Sequence, residues 1–397
     1  MSASSPTPTP TTSPIQLPII DISNPDDPVV GKAMLDAAIK YGFFYVGSKG
    51  SDFSAEEVER IFELSKKFFA SPREEKATCT IRTDNRGWSG MHTETLDPEH
   101  QRIGDFKEAM NFGEFKNGKA QQPLPPSLAP HEAEIDHFAA LCNKTCARVL
   151  KLLALGLEIP PTFLTTRHDP STGPTGSILR MLYYPSLSSI TSSSSPSSTS
   201  SDDASSSFQP NIDVRAGAHS DYGTITLLFQ RQGQPGLEIL TPEGTWAGVP
   251  VWPDSNIQTE GKDSQMKERE SNQNEKDDKD KDGSFPPILV NIGDLLSFWT
   301  NGLLKSTVHR VVFPSSSESM LTQEDRFSVV FFCHPVDDTA LVPIPSPLVA
   351  EAAKTNTNTT TVGFGGGAGS LDEKRTLTAK EYLDQRLSAT YGHRERS

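Results

Sequence analysis

Apolar residues follow two different rhythms along the chain, and the change comes near Ser177. Before it, strand-like and helix-like segments alternate. The segment LPIIDIS from Leu17 reads as a short strand, and Val30 to Tyr41 as an amphipathic helix. GFFYVGS follows as a buried strand. A second helix is predicted from Ser54 to Ala70, with Ser54 as N-cap, Glu57 closing a capping box and Pro72 ending it. A third runs from His131 to Gly156, where Ile135, Phe138, Leu141, Val149, Leu152 and Leu153 recur at helical spacing. After Ser177 the pattern becomes short strands punctuated by Gly, Pro and Asp: ILRMLYYP, GTITLLFQ, GLEIL, ILVNIG, KSTVHRVVF and RFSVVFFCHP. Such close spacing predicts an antiparallel sandwich or barrel. A last helix is expected from Thr378 to Tyr391. The fold class is therefore α+β with a mainly β core.

Several stretches fit neither rhythm. Residues 1–16 read as a disordered tail, and the Ser-rich run 186–207 and the charged run 254–284 as disordered insertions. None can bury enough apolar surface to offset the entropy of ordering it. TNTNTTTVGFGGGAGS reads as a flexible link before the last helix. The expected organisation is an N-terminal region 17–125, a β domain 126–345 carrying both insertions, and a link with helix over 346–397.

Composition narrows the partners. The net charge of −14 repels phosphate backbones and anionic lipid surfaces, so neither nucleic acid nor membrane is expected as a partner. No apolar run is long enough to span a bilayer, and the first residues lack the features of a secretory or transit segment. Cys79, Cys142, Cys146 and Cys333 read as free thiols in a reducing, cytoplasmic setting. A monomer is expected.

Two groups of residues carry chemistry. In AGAHSDYGTITLLF, His219 and Asp221 stand two apart, which on a strand turns both to one side. His309 in KSTVHRVVF is the third candidate ligand. Two imidazoles and one carboxylate on one face of an octahedron form the facial triad of non-haem Fe(II) oxygenases, with positions open for a co-substrate and dioxygen. The other histidines, His334 among them, read as surface or capping residues. Further on, Arg326 and Ser328 share a strand face and could receive a carboxylate, with the Tyr184 phenol adding a donor. A plain ion pair of Arg326 with Glu324 or Asp325 is the competing reading.

Together these residues resemble the 2-oxoglutarate- and Fe(II)-dependent dioxygenase superfamily, in the branch of isopenicillin N synthase, the plant flavonoid and gibberellin oxidases and fungal thymine dioxygenase. LPIIDIS, GFFYV, NRGWSG and GDFKEAMNFG resemble its N-terminal region; HSDYGTITLLFQ, STVHRVV and RFSVVFFCHP resemble its core. The resemblance implies a double-stranded β-helix (jelly roll) with a mixed α/β N-terminal region and flanking helices. It implies Fe(II) on His219, Asp221 and His309, and 2-oxoglutarate held by Arg326, Ser328 and Tyr184, with ascorbate as a supporting reductant. Decarboxylation of 2-oxoglutarate to succinate would accompany hydroxylation or desaturation of a small organic substrate. An oxidase that uses no 2-oxoglutarate and a non-catalytic metal-binding jelly roll are the alternatives. Leu182 departs from the Asn often found there in plant members. Phe332 matches a position on the substrate side, and Asn85, Arg86, Lys107 and Phe112 are further pocket candidates; a structural ion pair is the competing role for Lys107 and Arg86. A secondary metabolite ranks ahead of a nucleobase as substrate.

Overall fold

The computed structural model describes residues 14–48, 50–193, 208–209, 212–253, 285–313, 324–355 and 376–391. The helices are α1 (Pro28–Lys40), α2 (Ala55–Phe69), α3 (Arg73–Ala77), α4 (Glu132–Gly156), α5 (Thr162–Thr165), α6 (Leu187–Ser193), α7 (Asp294–Trp299), α8 (Pro347–Thr355) and α9 (Ala379–Tyr391). Helix α1 starts earlier than its apolar pattern predicts. Asp27 caps it, accepting from Val29 N at 2.8 Å, and Pro28 fits the first turn, where no N–H is needed. The capping box of α2 forms as read: Glu57 N donates to Ser54 Oγ (3.2 Å) and Ser54 N to Glu57 Oε2 (2.8 Å). Pro72 ends α2 but also opens α3.

Two sheets build the core. The larger runs β1 (Ile19–Ile20), β2 (Phe43–Val46), β12 (Ile288–Ile292), β9 (Ile225–Gln230), β14 (Arg326–Cys333), β7 (Ile178–Tyr184), β4 (Glu108–Phe112) and β3 (Gly87–Ser89). The smaller runs β11 (Trp246–Gly248), β10 (Leu237–Leu240), β13 (His309–Val311) and β8 (Ala216–His219), and a separate pair joins β5 (Phe115–Lys116) to β6 (Lys119–Ala120). Pairing is antiparallel except between β1 and β2. The two sheets form a double-stranded β-helix. Strands from residues 17–125 extend both edges of the larger sheet, so the N-terminal region shares a sheet with the β domain.

Strand parity sorts the side chains into two layers. On β14, Val329, Phe331 and Cys333 face α2 and α4, while Arg326, Ser328, Val330 and Phe332 point toward the smaller sheet. In the helix-side layer Phe229 meets Phe53 and Phe138 with ring centroids 4.9 and 5.1 Å apart. Truncating so buried a ring typically costs about 3–5 kcal/mol, so this layer fixes the sheet on which the site is built.

Not all expected disorder survives. Within 186–207, Leu187–Ser193 is helical, tied down because Asp325 accepts from Ser186 N (2.7 Å) and Ser189 Oγ (2.9 Å). In the expected tail, Ile15 N donates to Gly248 O at 2.9 Å. The rest of both insertions, the link before α9 and residues 1–13 lie outside the described residues. All four cysteines are buried free thiols. No helix among the described residues is long and apolar enough to cross a membrane.

Candidate active site

His219 ends β8 and His309 opens β13, and the two are register partners across the smaller sheet. Asp221 is not on the strand, as its spacing from His219 suggested. β8 stops at His219, and Asp221 lies in the turn before β9, where its carbonyl accepts from Asp294 N at 2.7 Å. The donor atoms of all three still fall within 4.8 Å of one another.

Each donor is aimed. His219 Nδ1 lies 2.8 Å from Gly217 O and His309 Nδ1 3.2 Å from Thr307 O. A carbonyl can only accept, so each Nδ1 carries a proton and each Nε2 faces inward. Asp221 Oδ2 accepts from Thr226 Oγ1 and Asn291 Nδ2, each at 2.7 Å. Oδ1 is left toward the imidazoles, 3.9 Å from His219 Nε2 and 3.7 Å from His309 Nε2. Burial, then the neighbouring His309, pushes His219 down to about 3, so it is neutral at physiological pH. Burial pushes the Asp221 carboxyl up, but His309, His219 and the two hydrogen bonds outweigh it and hold it below the ordinary range. Two imidazole Nε2 atoms and one carboxylate oxygen converging on one point fit a divalent metal.

Arg326 is almost fully buried. Its Nε donates to Gln234 O (3.1 Å), its Nη groups reach Ser328 Oγ and Gln230 Oε1 (3.4 Å each), and its guanidinium lies 5.0 Å from the Tyr184 ring centroid. No acid pairs with it among the described residues. Asp325 is engaged by Tyr183 (3.1 Å), Ser186 and Ser189 instead, which removes that ion pair as a rival reading. A buried guanidinium without a counter-charge is a receptor for an anionic ligand. Triad and clamp open into one cavity of about 300 Å³.

The sequence has relatives throughout. Residues 17–132 match the N-terminal region of the non-haem dioxygenase in morphine synthesis, and residues 268–335 match the 2OG-Fe(II) oxygenase superfamily. The 2-oxoglutarate-dependent dioxygenase htyE of Aspergillus rugulosus is 27% identical over 325 residues, 77% of this chain and 81% of its own. A UPF0676 protein of Schizosaccharomyces pombe is 33% identical over 385 residues, covering 96% of this chain and 94% of its own. Full-length Neurospora crassa T7H, solved in complex with alpha-KG, aligns with a TM-score of 0.66 at 26% identity, over 96% of this chain and 98% of that one. The chain belongs to the 2-oxoglutarate- and Fe(II)-dependent dioxygenase superfamily. It is an oxidoreductase that uses Fe(II) and 2-oxoglutarate, as its relatives do.

The dioxygenase cavity gathers most of the pocket candidates. Asn85, Arg86, Lys107 and Phe332 line it. Phe112 does not. Parity turns Met110 and Phe112 of β4 to the helix side, where Phe112 is fully buried, and leaves Ala109 and Asn111 facing inward. Asn85 takes a left-handed backbone (φ 60°), and its carbonyl and Oδ1 accept from Asn111 Nδ2 at 2.9 and 3.0 Å. Lys107 has the ion-pair role weighed for it, with Glu94 at 2.9 Å and Asp105 at 2.6 Å. Arg86 makes no ion pair among the described residues.

Three wall features escaped the sequence reading. Arg180 of β7 donates to Asn111 Oδ1 (2.7 Å), meets Glu94 at 3.5 Å and lies 5.5 Å from the Phe332 ring centroid. An arginine inside an apolar strand was the available signal. His334, read as a surface residue, is buried and lines the cavity. Helix α9 contributes Lys380, Leu383, Asp384 and Leu387 to the wall. It is pinned by Arg386, which pairs with buried Asp294 at 3.0 Å and covers the Tyr222 ring at 5.0 Å.

Proposed function

We propose that His219, Asp221 and His309 hold Fe(II), that Arg326, Ser328 and Tyr184 receive the distal carboxylate of 2-oxoglutarate, and that the substrate is a small, hydrogen-bonding organic molecule of about nucleobase size. The observation that carries this reading is the meeting of three inward-facing donors and a buried guanidinium without an ion-pair partner among the described residues in one cavity. Bound Fe(II) supplies the activation of dioxygen, coupled to oxidative decarboxylation of 2-oxoglutarate to succinate. The chain's own residues do the rest. Arg326 and Ser328 fix the far end of the co-substrate and so set where its keto acid lies relative to the triad. Phe332, Leu383 and Leu387 keep water from the reacting C–H bond.

The size argument comes from the cavity. At about 300 Å³ it sits at the small end of ligand sites and must also take 2-oxoglutarate. Neurospora crassa T7H has been solved in complex with alpha-KG and 5-formyluracil, and that structure aligns at 26% identity with a TM-score of 0.63. A pyrimidine base therefore heads the candidates, followed by small secondary metabolites. The test supplies Fe(II), 2-oxoglutarate, ascorbate and dioxygen with a panel that includes thymine, 5-formyluracil and small heterocycles. Succinate and product mass are read together. Substrate-dependent succinate with gain of one oxygen or loss of two hydrogens is expected. Product without succinate would establish the 2-oxoglutarate-independent oxidase instead. Turnover with stoichiometric iron in His219→Ala would overturn the ligand assignment.

A further inference from the structure

Arg215 stands behind the cavity and does not line it. It immediately precedes β8 and its side chain is fully buried. Nη2 donates to Pro185 O at 3.0 Å. Nε and Nη1 are sealed from solvent and have no hydrogen-bond partner among the described residues. The guanidinium lies 5.0 Å from the Phe313 ring centroid, and no acid pairs with it among the described residues. Burial, then the like charge of Arg326, pushes it down to about 9, so it still carries its proton at neutral pH.

Its location is specific. Arg326 donates to Gln234 O, and a Cβ on Gly236 would stand 3.9 Å from Arg215 Nη1, so both guanidinium groups pack against the same Gln234–Gly236 turn. Arg326 covers the Tyr184 ring, and Arg215 holds the carbonyl of the next residue, Pro185. Two buried cations thus flank the Tyr184–Pro185 step at the end of β7, and no acid among the described residues forms an ion pair with either; Asp325, whose charge reaches Arg215, is held by Tyr183, Ser186 and Ser189. Burying one unpaired ion is costly, and a second beside it adds repulsion. An anion delivered to Arg326 relieves both.

We propose that Arg215 is a positioning residue for the co-substrate: it acts through Arg326 and Tyr184 on the distal carboxylate of 2-oxoglutarate and makes the site select keto acids that carry a second carboxylate. This rests on the assignment of Arg326 to 2-oxoglutarate above. Arg215 does not line the cavity, so its effect is a field in a low-dielectric interior rather than a contact.

The test is calorimetric titration of anaerobic, Fe(II)-loaded full-length protein with 2-oxoglutarate and with 2-oxobutanoate, which has the same keto acid but no distal carboxylate. Arg215→Met should weaken 2-oxoglutarate by roughly tenfold, on a Coulomb estimate at an interior effective dielectric. Binding of 2-oxobutanoate should stay within about twofold, because its keto acid lies at the metal end. Arg215→Lys, which keeps the charge, should retain most of the 2-oxoglutarate affinity. Should the Met variant fail to fold, Arg215→Gln is measured in its place against the same expectation. Equal weakening of both keto acids would reveal a purely structural role, and unchanged 2-oxoglutarate binding would overturn the proposal. Wild-type protein that binds no 2-oxoglutarate would sink the co-substrate assignment itself, a result distinguishable from the other two.

Discussion

Glu94 offers a direct measure of what the buried charges behind the cavity contribute. Its carboxylate receives Lys107 Nζ at 2.9 Å, Arg180 at 3.5 Å and Ser89 Oγ at 3.4 Å, in a fully buried setting. Burial alone raises this carboxyl, but Arg180 and Lys107 more than reverse that and bring it to about 2, from the ordinary 4.5. A folded-state value below the unfolded one means stability that is present above pH 4.5 and lost as pH falls toward 2. At about 1.4 kcal/mol per pH unit, the shift corresponds to about 3 kcal/mol at neutral pH. Breaking a buried pair by removing one partner gives a similar figure, about 3–5 kcal/mol. Glu94→Gln keeps the shape and removes the charge, while Lys107 keeps Asp105. Urea unfolding of both proteins between roughly pH 8 and 3.5 should show the variant less stable by about 3 kcal/mol above pH 5.5. Below roughly pH 4.5 the gap should narrow by about 1.4 kcal/mol per unit. A gap that stays constant down to the lowest pH, or one under about 1 kcal/mol at neutral pH, would refute this account.

Three further outcomes are expected. Arg326→Ala should raise the KM for 2-oxoglutarate by about tenfold or more with a smaller effect on kcat, since a charge-assisted carboxylate contact is lost; an unchanged KM would favour the oxidase alternative. Arg386→Met, which removes the partner of buried Asp294 at 3.0 Å, should destabilise by about 3 kcal/mol in chemical denaturation, and adding Asp294→Asn should restore part of it. Ser54→Ala should cost about 1 kcal/mol through loss of the α2 capping box while leaving turnover unchanged.

Much of this could be read from the sequence because it rests on local rules. The capping box set the start of α2, short apolar runs bounded by Gly, Pro and Asp marked the strands, and the two histidines with Asp221 were recognisable because metal ligation restricts residue type. What escaped depends on partners far apart in the chain. Whether Phe112 faces the cavity or the helices is decided by the β4–β7 register, and a shift of one residue would reverse it. Arg180 is satisfied by Asn111 and Glu94, and Arg215 is remarkable only beside Arg326; neither pairing has a local signature. His334 reads as surface from its neighbours, yet the close backbones of Gly176 and Gly223 make room for its ring, as Cβ atoms there would lie 3.4 and 2.9 Å from it.

The wall made by α9 comes from the last described element of the chain. The three proposed metal ligands and the proposed co-substrate clamp all precede Cys333, whereas the helix that closes the cavity begins at Ala379. During synthesis the earlier elements emerge first. A nascent chain can therefore hold a complete ligand set while its reaction chamber is still missing a side. The Arg386–Asp294 pair is the latch that joins the late helix to the turn carrying Asp221. Until it closes, a loaded metal would face open water, with the protein's own side chains as the nearest oxidisable material.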